Sequence, residues 1–191
     1  MAGIRTAEEP RFETLGRVGE AELRRYPPRL LAEIELRAAG EEAARNAGFR
    51  PLAAYIFGAN TPGARIGMTA PVAQSAGERI GMTAPVTQRP TGEGTWRIGF
   101  LMPERYSRDT LPPPTDPRIS VRELPGEVVA VLRFSGLPNA AAVAGAQARL
   151  RAALEGSSWR SSGEGGAWFY DPPWAIPALR RSEAWLPVRD G

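Results

Sequence analysis

The chain has 191 residues, 42% hydrophobic and 24% charged, with a formal net charge of +3; these are values of a soluble globular protein long enough to bury one full core. It contains no cysteine and no histidine, and all 24 of its cationic side chains are arginine. Disulfides, thiolate and imidazole metal sites, Cys-His and Ser-His-Asp nucleophile systems and lysine Schiff bases are therefore excluded.

The first residues, Met1 to Pro10, are polar and mixed in charge and lack the apolar stretch of a signal peptide. No apolar run is long enough for a membrane span. The reading is cytoplasmic, although a leader removed beforehand would leave the same sequence. The arginines are scattered among glutamates, never more than two together, with no basic run of motif length, so no nucleic-acid partner is expected.

From Glu20 the pattern becomes regular. Ala21 to Arg25 reads as a short strand, turned by Tyr26-Pro27-Pro28. Leu30, Ala32, Ile34 and Leu36 then alternate with Leu31, Glu33, Glu35 and Arg37, the period of a half-buried strand. Gly40 opens a helix with Glu41 and Glu42 in its first turn, where carboxylates suit the dipole. Pro51 predicts a break, followed by a second helical piece from Leu52 to Phe57.

The octapeptide Arg-Ile-Gly-Met-Thr-Ala-Pro-Val follows twice, at residues 65–72 and 79–86, and predicts two hairpin-like strands. Trp96, Ile98, Phe100 and Met102 lie on one face of another strand, and Pro112 to Pro117 form an irregular crossover. The second half repeats the order. Ile119 to Glu123 is a strand, and Val128, Ala130, Leu132 and Phe134 face one way along the next. A helix begins at Pro138 with Val143, Ala146, Leu150 and Leu154 at helical spacing, and two strands close the chain, Ala167 to Tyr170 and Glu183 to Val188.

Strand, strand, helix, strand, strand, occurring twice, predicts an α+β fold of two pseudo-symmetric halves in one curved antiparallel sheet or open barrel. Residues 1–19 read as an extension and 20–188 as a single domain. Its halves are about 20–103 and 118–188, joined by the crossover 104–117.

Four segments together resemble the SOUL haem-binding family. They are Gly48-Phe49-Arg50-Pro51-Leu52 running into Tyr55-Ile56-Phe57-Gly58; the two octapeptides; Ala146 to Leu154; and Tyr170-Asp171-Pro172-Pro173-Trp174 followed by Arg180 to Leu186. The resemblance implies a distorted antiparallel β-barrel flanked by two helices, built from two related halves. It also implies a cytosolic protein that binds haem or another tetrapyrrole in an apolar groove between the first helix and a late loop. The matching positions are the helix ending at Tyr55 to Phe57, the first methionine strand and the loop Asp171 to Arg181. One branch of the family is thought to use an axial histidine. This chain has none, so it can resemble only members that hold the porphyrin by apolar contact and propionate pairing.

A porphyrin offers two wide apolar faces and two carboxylates on one edge. Burial of several hundred Å² at roughly 25 cal/mol per Å² gives several kcal/mol before association costs, enough for micromolar binding without an iron ligand. Cofactor contacts are expected from Tyr55, Arg65, Met68, Met82, Trp174 and Arg180, with Met68 or Tyr55 as a weak axial ligand. Bland roles stand beside these. In these the methionines fill core gaps, Trp174 anchors its loop, and the arginines, Arg181 among them, are solvated surface. Glu183 reads as the partner of a neighbouring arginine.

The leading function is a haem carrier or buffer and not an enzyme. Peroxidase-like or degradative chemistry on a bound tetrapyrrole ranks last, because peroxide activation normally calls on a histidine. The alternative is a free-standing effector-type domain for planar cations, using Glu183 or Glu123 with Trp96 and Trp185. Oligomeric state is left open.

Overall fold

The computed structural model describes residues 7–61, 77–171 and 176–191. In chain order the strands are β1 (Glu13–Val18), β2 (Ala21–Tyr26), β3 (Arg29–Arg37), β4 (Val86–Gly92), β5 (Thr95–Leu101), β6 (Ile119–Leu124), β7 (Glu127–Phe134), β8 (Trp159–Ser161), β9 (Gly166–Phe169) and β10 (Ser182–Asp190). Helix α1 (Glu41–Ile56) lies between β3 and β4, and α2 (Ala140–Leu154) between β7 and β8.

The fold is α+β. Ten strands form one antiparallel sheet in the order β1-β2-β7-β10-β9-β4-β5-β3-β6, with β8 on β10. No pairing joins β1 to β6 among the described residues, so the sheet is open and the expected barrel is not closed by hydrogen bonds.

Strand periodicity decides which face is which. On β3 and β5, Leu30, Ala32, Ile34, Ile98 and Phe100 pack under α1, the faces their alternation predicts. On β7 and β10, Ala130, Leu132, Ala184, Leu186 and Val188 pack under α2. The opposite face carries Tyr26, Val129, Val131, Trp168 and Tyr170, packed together and against Trp185. Both helices thus cover one face, and the other is left to charged and aromatic side chains.

Helix α1 runs unbroken through Pro51, where the sequence predicted a break. A proline removes only its own N–H bond to the preceding turn. The buried stripe of Ala44, Gly48, Leu52, Tyr55 and Ile56 continues on both sides of it, so packing on the sheet outweighs that loss. Gly48 is the closest approach: a Cβ there would lie 2.7 Å from Cβ of Ile98. Helix α2 starts one residue after Asn139, whose side chain accepts a hydrogen bond from Ala142 N at 2.9 Å.

The first octapeptide lies outside the described residues. The second is not a strand. It runs as irregular chain from Ile80, whose N–H bonds to Ile56 O, to Val86, where β4 begins. Gly81 and Pro85 explain this, since glycine weakens a strand and proline cannot donate to a ladder. Strand β1 forms within the segment read as an extension, pairing with β2 through a shifted register at Thr14/Gly16. No helix among the described residues is long and apolar enough to cross a membrane.

Candidate functional site

On the helix-covered face, α1 lays the row Glu41, Arg45, Phe49 over β4 and β5. Gln88 Nε2 donates to Glu41 O at 3.0 Å, and the Phe49 ring lies 5.3 Å from Phe100. Arg45 is the centre of this row. Its guanidinium stands 4.5 Å over the Phe169 ring and donates to Gln88 Oε1 at 3.2 Å and Pro138 O at 3.4 Å. Both acceptors are neutral, and no carboxylate lies within ion-pair distance of Arg45 among the described residues. Burial lowers its pKa, Glu42 and Glu41 work against that, and the charge of Arg180 lowers it further. An incompletely compensated cation of this kind favours the approach of an anion.

Three chain segments meet beside Arg45. Residues 136–138 are tied to the late loop through Gly136 N, which donates to Pro177 O at 3.0 Å. Around this junction Leu137, Ile176 and Leu179 are about 60% exposed (59%, 62% and 62%). Exposed aliphatic side chains beside two arginines suit a ligand with an apolar body and anionic edge. That is the chemistry of a porphyrin with its propionates.

The residues predicted for the site fall into three groups. Arg65, Met68 and Trp174 lie outside the described residues. Arg180 is half-buried and acts electrostatically on Arg45, while Met82 is 42% exposed on the approach to β4. Tyr55 is fully buried, and its hydroxyl donates to Pro112 O at 2.7 Å. Burial pushes its pKa well above the usual phenol range, which disfavours the tyrosinate that ligates iron. Arg45 was missed by sequence reasoning, because a lone arginine within a helix carries no signal until the sheet beneath it is known.

Arg181 faces the other way. It donates to Glu183 Oε1 at 3.0 Å and to Glu9 at 2.9 Å, with its guanidinium 3.8 Å over the Tyr170 ring. The pairing expected for Glu183 is present. This carboxylate is fully buried and also accepts from Arg24 Nη1 at 2.9 Å and the Tyr170 hydroxyl at 2.7 Å. Arg24 is bonded in turn to Glu22 at 2.7 Å, and Trp168 stacks on Trp185 at 5.5 Å. The buried carboxylate among aromatics that a cationic ligand needs is thus present, but it already holds two guanidiniums. Two hollows, of about 410 and 240 Å³, also occur, and no α1 residue lines either.

The model of the SOUL heme-binding protein family matches residues 7–187. A Bos taurus protein named Heme-binding protein 1 is 29% identical over 136 residues, covering 69% of this chain and 64% of its own length. A Sus scrofa protein of the same name is 30% identical over 136 residues, covering 69% and 65%. The chain therefore matches slightly under two thirds of the length of these relatives. Among solved structures, the EcmrR C-terminal domain is similar with a TM-score of 0.64, covering 92% of this chain and 100% of that one. At 12% identity this is a likeness of fold.

Proposed function

Because the chain belongs to the SOUL haem-binding protein family, we propose that it binds haem or a related tetrapyrrole and serves as a carrier or buffer, not as an enzyme. The porphyrin lies in the furrow between α1 and the loop around residues 176–180. Its ring rests on apolar side chains, and its propionates face Arg45 and Arg180. One observation carries this reading: among the described residues Arg45 is a half-buried cation supplied only with neutral acceptors, at the edge of an exposed aliphatic surface. The names of the mammalian relatives support the same ligand.

Haem supplies an iron centre and a flat conjugated ring, and this chain supplies area and cations around it. Without histidine, any axial donor is a weak one, so affinity follows contact area and propionate pairing. Met68 is the thioether candidate for that donor, and Arg65, Met82 and Trp174 are further candidate contacts. We also read the two halves as pseudo-symmetric. In support, exchanging β2 with β6, β3 with β7, β4 with β9 and β5 with β10 gives the order of these eight strands in reverse, as a two-fold relation would, β1 and β8 having no counterpart.

The test is a haemin titration of the apo-protein. The expected result is a Soret shift that saturates at one equivalent with micromolar affinity. Absorption that never saturates would refute the reading. The cation-binding alternative has less support, because Arg24 and Arg181 already fill Glu183. Tight binding of a cationic dye without haemin binding would restore it.

A further inference from the structure

The hollow of about 240 Å³ lies on the sheet face turned away from both helices, across the sheet from the proposed haem furrow. Its aromatic wall is the stacked pair Trp168 and Trp185, with ring planes 21° apart. Four arginines enter it. Three are spoken for: Arg29 donates to Glu127 at 2.6 Å, Arg122 to Glu33 at 2.7 Å and Arg97 to Glu35 at 2.7 Å. The fourth, Arg89 on β4, has no hydrogen bond or ion pair among the described residues and is half-buried. Burial, Arg122 and Arg97 lower its pKa, while Glu33 and Glu127 give only partial compensation.

Two lining residues, Arg29 and Trp185, each carry a buried polar atom without a partner among the described residues, Nε and Nε1. Both are donors, and the Arg29 side chain is only 7% exposed. Buried donors left unmade cost free energy that a ligand acceptor can recover. Glu164 also lines the hollow but is exposed, so water screens its charge. Unmet donors and an unpaired cation beside an indole wall define the complement: a flat ring with an anionic, acceptor-only end. The volume lies below the roughly 300–1,000 Å³ of drug-sized pockets, which excludes a macrocycle and limits the ligand to one or two rings.

We propose that this cleft is a second binding site, for a small aromatic carboxylate whose anionic end pairs with Arg89 and whose ring packs on Trp168 and Trp185. The site is distinct from the haem furrow and does not depend on haem binding there. Its charge preference is opposite to that of the buried Glu183.

Sodium 1-naphthoate is the probe, with 1-naphthylmethylammonium as the cationic control. Naphthoate is expected to quench tryptophan fluorescence saturably at one equivalent and to shift the Trp185 indole N–H resonance, while the control does neither. Arg89→Gln should weaken naphthoate at least tenfold and leave haemin stoichiometry unchanged, whereas Arg45→Gln should leave naphthoate unchanged. Equal binding of the cation, naphthoate affinity unaltered in R89Q, or loss of naphthoate in R45Q each overturns the proposal. The indole resonance, read on the unaltered protein, decides the matter even if R89Q does not fold.

Discussion

The carboxylate of Glu183 and the guanidinium of Arg24 meet in two hydrogen bonds, 2.9 and 3.3 Å long, across 159 residues of sequence. They tie β10 to β2, which lie on either side of β7, on the sheet face that lacks helices. Arg181 and the Tyr170 hydroxyl complete the coordination of the carboxylate. A fully buried ion pair is tolerable only when its remaining polar atoms are bonded.

Removing the charge at its centre should therefore be costly. Glu183→Gln leaves two arginines facing a neutral amide and should lower stability by about 3–5 kcal/mol, read from urea unfolding. A loss under about 1 kcal/mol, the scale of an exposed pair, would show that the network contributes little.

The proposed furrow makes a prediction about Arg45. A charge-assisted hydrogen bond is worth about 1.5–3 kcal/mol, so Arg45→Ala should weaken haemin by roughly 10–100-fold. Circular dichroism should stay unchanged, because among the described residues the side chain hydrogen-bonds only Gln88 and Pro138 and otherwise rests on the Phe169 ring. Haemin affinity equal to that of the parent protein would remove Arg45 from the site.

All four tyrosines, Tyr26, Tyr55, Tyr106 and Tyr170, have pKa values raised above the usual phenol range, burial being the first cause in each. A raised folded-state value favours the neutral phenol. The resulting stability is complete below about pH 10, the unfolded value, and is lost as pH rises through the folded values. Tyrosinate absorbance should therefore stay low in the folded protein at pH 10 and appear together with unfolding at higher pH. A reversible midpoint at 10 with native circular dichroism would contradict this.

Two helical glycines should respond in opposite directions. A Cβ at Gly48 meets Ile98 at 2.7 Å, so Gly48→Ala should cost about 1–3 kcal/mol through overpacking. Gly145 in α2 has nothing within 4 Å of its added Cβ, so Gly145→Ala should stabilise by about 0.5–1 kcal/mol. Denaturant midpoints of the two variants decide it. A midpoint for Gly48→Ala at or above that of the parent would refute close packing of α1 on β5.

Much of this architecture could be read from sequence where one face is buried under a helix. Leu30, Ala32 and Ile34, or Val128, Ala130 and Leu132, alternate because α1 or α2 covers every second residue. Strand β1 escaped because it pairs with β2, buries no residue and has no period to show. Pro51 misled because a local rule yielded to a buried stripe extending past it. At the site, Arg180 and Arg181 are neighbours in sequence but serve different surfaces. Arg45 matters only because Phe169, Gln88 and Pro138 surround it, and no spacing rule links those four residues.

In the proposed complex a tetrapyrrole lies between α1 and the late loop and is held mainly by contact. The most direct test of this placement is paramagnetic broadening of amide resonances by one equivalent of ferric haemin. Broadening should centre on residues 41–49, 136–138 and 176–180 and spare β1 and β6 at the sheet edges. Signals lost instead around Trp168 and Trp185, or uniformly over the surface, would rule out this placement.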